Sequence, residues 1–100
     1  MRLKDFDETF APDLSNPEFA AAYLAECLSY NEPEVFLLAL RNVIQANSNM
    51  SEISRKLEVS RPSLYTALSE DGNPTYHTLR DVLGTVGLQL SVTPVREVVA

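Results

Sequence analysis

Met50-Ser51-Glu52-Ile53-Ser54-Arg55-Lys56-Leu57, then Glu58-Val59-Ser60, then Arg61-Pro62-Ser63-Leu64-Tyr65-Thr66-Ala67-Leu68 is the stretch that decides the fold. In its first part Ile53 and Leu57 stand four apart, with small Ser54 beside them, so one face of a short helix is apolar. Glu58-Val59 is the joint. Ser60 is a residue whose hydroxyl caps free backbone amides, and Pro62 is tolerated in the first turn of a helix, where no intrahelical amide bond is lost. Leu64, Ala67 and Leu68 then face inward. Two short helices with a tight joint leave the polar face of the second one outward: Arg61, Pro62, Tyr65 and Thr66. That is the arrangement a major-groove reader requires, because the groove admits one helix and only its first turns and one face reach base edges. Arg61 is the side chain best shaped to grip a guanine edge in bidentate fashion, and Pro62 and Thr66 suit a thymine methyl. Ser51, Lys56, Ser60, Ser63 and Asn73 are the expected phosphate contacts. A plain helical hairpin belonging to the core is the other reading of the same pattern.

Outward from this pair, the chain reads as helical on both sides. Ser15-Asn16-Pro17-Glu18 has the composition of a helix start, and Phe19, Tyr23, Leu24, Cys27 and Leu28 recur at three and four, predicting a helix from about Pro17 to Tyr30 with one buried stripe. Cys27 reads as a small core residue. Asn31-Glu32-Pro33-Glu34 opens a second helix whose apolar residues, Val35 to Leu40 with Val43 and Ile44, lie nearly all round it, as in a central helix covered on more than one side. Asn47-Ser48-Asn49 is a polar break, and Glu70-Asp71-Gly72-Asn73-Pro74 is a loop of turn formers. A fifth helix from about Thr75 is expected to bury Leu79, Val82, Leu83 and Val86 and to stop at Gly87. His77 reads as a polar residue of its first turn. After Gly87 the period changes to two: Leu88, Leu90 and Val92 alternate with Gln89 and Ser91, which predicts a strand over 88–92. A lone strand leaves backbone groups without partners, so pairing with the same strand of a second subunit is expected, with an extended tail as the alternative.

Composition sets the outer bounds. One hundred residues at 45% apolar and 22% charged suit one small globular domain. The run of purely apolar side chains Val35 to Leu40 is far short of a membrane span. The acidic start Met1-Arg2-Leu3-Lys4-Asp5-Phe6-Asp7-Glu8 lacks the apolar stretch of a signal peptide, which leads us to expect a cytoplasmic protein. One Cys and one His cannot build a three- or four-ligand zinc site, and scattered carboxylates without a glycine-rich phosphate loop give no catalytic constellation. No enzyme, metal or cofactor is expected.

The net charge of −6 is unevenly placed. Residues 1–35 hold two basic and eight acidic side chains, which is the whole deficit, whereas residues 50–80 balance. The acidic front is either a solvated face or a counterpart for a basic protein. Within it Phe6 and Phe10, four apart among Asp5, Asp7, Glu8 and Asp13, suit an interface anchor with a charged rim, or else pack on the chain's own helices. The expected organisation is an acidic segment 1–14, a helical domain 15–94 and a tail 95–100.

The stretch Ser60 to Ser69, with Gly72-Asn73-Pro74, the run from Leu79 to Val92 and the opening Leu3-Lys4-Asp5-Phe6-Asp7, resembles the Xre/Cro-type addiction-module antidote proteins over nearly the whole chain. The resemblance implies an all-α, lambda-repressor-like helix-turn-helix domain of five helices, with the strand 88–92 added. It also implies a HigA-like antitoxin that binds a small toxin of the RelE/ParE superfamily and represses its own promoter; on our reading of the residues the toxin contact is Asp5, Phe6, Asp7, Glu8 and Phe10, and the homodimer is joined by Leu88, Leu90 and Val92. Two departures stand out. Glu58 replaces a common turn glycine, and Pro62 replaces a common recognition-helix Glu, so operator sequence does not transfer. The alternatives are an antidote that binds protein only, since Lys and Arg are few and each neutralised phosphate adds affinity, or a phage-type Xre repressor.

Overall fold

The computed structural model describes residues 13–95. Among them are five helices: α1 (Pro17–Leu28), α2 (Pro33–Asn47), α3 (Met50–Leu57), α4 (Arg61–Ala67) and α5 (Tyr76–Thr85). Four of the five starts carry a side-chain cap. Asn16 accepts from the Phe19 amide, Asn49 from Glu52, Ser60 from Ser63 and Thr75 from Thr78, each satisfying an amide the helix cannot. At α2 the Glu32 side chain makes no such bond, and Pro33 follows it in the first turn, where its missing amide costs nothing.

α1 packs on α2, and α3 packs on both α4 and α5, so one apolar core runs through all five. Leu40, Val43 and Ile44 of α2, Ile53 of α3, Leu68 after α4 and Val82 of α5 are fully enclosed. Each such side chain contributes about 1.5–3 kcal/mol of burial. Cys27 is a core residue. Ser54, the one polar core residue among those described, donates its hydroxyl to the Ser51 carbonyl at 2.9 Å and so costs little.

Three expectations need correction. α1 ends at Leu28, two residues before Tyr30, because the chain turns through Asn31 in the left-handed region at φ 60° before Pro33. Leu28 itself, the last residue of α1, is 57% exposed, and Leu38 on the supposedly covered α2 is also exposed. The period-two segment forms no strand among the described residues, where the backbone from 88 to 95 has no ladder partner. α5 ends as expected, with Gly87 left-handed at φ 83° and the Leu88 amide reaching back to the Leu83 carbonyl at 2.8 Å.

Candidate nucleic-acid interface

The joint between α3 and α4 is three residues long, Glu58, Val59 and Ser60. Its sharpness comes from Glu58, which is left-handed at φ 58°, ψ 42°. The Glu58 amide donates to the Arg55 carbonyl and the Val59 amide to the Ser54 carbonyl, at 3.2 and 3.0 Å, the paired bonds of a Schellman stop. Glycine adopts this conformation without a Cβ penalty; Glu58 does so at a cost of about 1 kcal/mol.

α4 then buries Leu64 and leaves Arg61, Pro62, Ser63, Tyr65 and Thr66 exposed. Its outward face is the one read from the spacing. The Arg61 guanidinium lies 5.8 Å from the Tyr65 ring centroid, a stack that holds it along the helix. Ser60 both accepts from the Ser63 amide and donates to the Ser63 hydroxyl at 2.8 Å, which leaves the Ser63 proton to offer elsewhere. Pro62, Ser63, Thr66 and Asn73 line one open groove beside α4, shared with Asp71 and Gly72. The structure thus brings two expected base readers and two expected phosphate contacts to one surface. Ser51 and Lys56 are exposed on α3.

Gly72 explains why the loop lies against α4. A Cβ there would collide with the backbone carbonyls of Ala67 and Thr66, so only glycine lets the chain cross the end of the helix this closely.

The cations divide into committed and uncommitted. Arg55 pairs with Glu52 along α3. Arg80 pairs with Asp81 at 2.9 Å and lies 6.0 Å from the Tyr76 ring centroid. Arg41 spends its guanidinium on the Leu68 carbonyl, a role that its place among the apolar residues of α2 did not reveal in advance. Lys56 and Arg61 have no acid partner among the described residues. His77 is exposed in the first turn of α5, 3.2 Å from an Asp81 oxygen.

The expected interface residues of the C-terminal segment separate. Leu88 is half-buried against the chain's own core, Leu90 is 39% exposed, and Val92 is 95% exposed. Asp5, Phe6, Asp7, Glu8 and Phe10 lie outside the described residues. The described residues contain no cluster of His, Cys, Asp and Glu able to hold a metal ion, and no helix long and apolar enough to cross a membrane.

Against known proteins, residues 2–94 match the model of a family described as probable addiction module antidote protein. An uncharacterised protein of Haemophilus influenzae is 42% identical over 91 residues, which is 91% of each chain. No solved structure matches.

Proposed function

Since this chain belongs to the family of probable addiction module antidote proteins, we propose that it is a two-surface binding protein rather than an enzyme: a HigA-like antitoxin that neutralises a RelE/ParE-type toxin and, as a homodimer, represses its own operon through an Xre/Cro-type helix-turn-helix. The antidote half rests on the family, which implies a cognate toxin. The operator half is carried by one observation, the exposed Arg61, Pro62, Tyr65 and Thr66 on a capped helix that follows α3 across a three-residue joint.

On this reading Arg61 and its neighbours meet base edges, while Ser51, Lys56, Ser60, Ser63 and Asn73 meet phosphates. Two protomers set their α4 helices about one turn of DNA apart. The segment 88–92 supports the dimer half of the proposal because it exposes Val92 and, beyond the Leu88 amide, has no backbone partner among the described residues, which a second copy of the same segment would supply. The acidic residues Asp5, Asp7 and Glu8 with Phe6 and Phe10 form a contact to a basic toxin, and the complex works in the cytoplasm.

A protein-only antidote is the second reading, favoured by the small number of uncommitted cations and by Glu58 standing next to the candidate DNA surface. Co-expression with the product of the adjacent reading frame, followed by mobility shift of the upstream DNA, separates them. Growth rescue with a shifted band supports the dual role, growth rescue without a shift leaves the protein-only antidote, and absence of rescue removes the antidote assignment.

A further inference from the structure

The open groove beside α4 holds one charged side chain, and it is an acid. Pro62, Ser63 and Thr66 line it from the helix, and Asp71 and Asn73 line it from the loop that follows. No Lys or Arg stands among the described residues that line it. The loop is held in place, because Gly72 lies against the Ala67 carbonyl and its amide donates to the Ser69 carbonyl at 2.8 Å. The Cα of Asp71 is therefore about 3.8 Å from a fixed point at the end of α4.

The Asp71 carboxylate is exposed and makes no ion pair or hydrogen bond among the described residues, so it neither caps the turn nor neutralises a neighbouring cation. Beside it the C-terminal end of α4 carries the negative pole of the helix dipole. Both features oppose a phosphate within the groove and favour a hydrogen-bond donor. The donors that DNA presents in its major groove are the exocyclic amino groups of cytosine and adenine. A carboxylate only accepts, and adenine sets its N7 acceptor next to its amino group, whereas the amino group is the only polar atom that cytosine offers there.

We propose that Asp71 is a specificity-determining residue of the operator surface, its carboxylate accepting a hydrogen bond from the N4 amino group of a cytosine that enters the groove beside Pro62 and Thr66. The proposal rests on the operator reading and adds a base to it. The phosphates met by Ser63 and Asn73 then lie outside the groove, away from the carboxylate.

The test uses the full-length protein with the upstream duplex and a set of duplexes, each changed at one base pair of the stretch that the protein protects. At one position of each half-site the wild type is expected to prefer cytosine about 10-fold, as a specific side chain–base contact does. Asp71→Asn, of the same size, is expected to lose that preference, to keep the preferences at other positions and the melting temperature, and to bind unrelated DNA more tightly because an anion has gone. Asp71→Ser, another common turn residue, is expected to behave alike. A cytosine preference kept in both variants overturns the proposal and leaves the operator reading standing. An equal rise in affinity for every duplex reduces Asp71 to a repelling charge, and unfolding of both variants assigns it to the turn; each overturns the proposal. Absence of any sequence preference in the wild type removes the operator reading itself, and the assignment of Asp71 with it.

Discussion

The Arg41 guanidinium, on the central helix α2, donates a hydrogen bond to the backbone carbonyl of Leu68 at the C-terminal end of α4. The last carbonyls of a helix have no intrahelical donor, so a cation placed there satisfies one and opposes the negative end of the helix dipole. The bond ties the candidate reading helix to the most enclosed element of the core, and it takes Arg41 out of the set of side chains available to phosphate.

Arg41→Met keeps much of the stem and removes the donor. Urea denaturation is expected to show a loss of about 1.5–3 kcal/mol, the range for hydrogen bonds from charged groups. The salt dependence of DNA binding should stay as in the wild type. A shallower salt slope with unchanged stability would mean that Arg41 contacts phosphate instead.

Glu58 makes the joint at φ 58° with a side chain that disfavours it. Glu58→Gly is expected to stabilise the fold by about 1 kcal/mol, less the extra entropy glycine loses on folding, and to strengthen DNA binding by removing an anionic side chain. A thermal melt and a binding titration on the same variant check both.

Gly72 fails for a different reason, namely space. With Cβ aimed at the Ala67 and Thr66 carbonyls, Gly72→Ala must displace backbone, and a loss of about 1–3 kcal/mol is expected, as for other overpacked sites. The loop shift should also weaken DNA binding through Asn73 and the groove it shares with Ser63 and Thr66.

Val92 tests the dimer. At 95% exposure it makes almost no contact within its own chain, so Val92→Asp should leave the monomer's fold intact and act only across an interface. Sedimentation is expected to show a shift toward monomer. An unchanged dimer would remove the 88–92 segment from the interface.

What could be read from the sequence is what is local. Asn16, Asn49, Ser60, Thr75 and Gly87 start or stop helices through partners three to five residues away, and the inward face of α4 follows from a spacing of three and four. What escaped is what depends on distant segments. Arg41 and Leu68 stand 27 residues apart, and nothing in the neighbourhood of either names the other. Leu28 fits its stripe by period, yet α1 ends there and leaves it exposed. The steric need for Gly72 exists only once the loop has folded across α4. The alternation over 88–92 is real in the sequence, but a strand is a property of two chains of backbone, and one copy supplies only one of them.

Binding to the upstream duplex at matched salt, wild type beside Arg61→Ala and Lys56→Ala, decides whether α4 reads DNA. Lys56 and Arg61 are the cations without an acid or carbonyl partner among the described residues, so from these two on each protomer a dimer should neutralise about four phosphates or base-edge sites and gain about −3.6 in the slope of log K against log salt. Arg61→Ala is expected to lose about 1–3 kcal/mol of discrimination between operator and unrelated DNA, while Lys56→Ala weakens both alike and makes the slope shallower by about 1 per site lost. Equal operator affinity and equal discrimination in the wild type and Arg61→Ala would contradict the assignment of α4 as the helix that reads DNA.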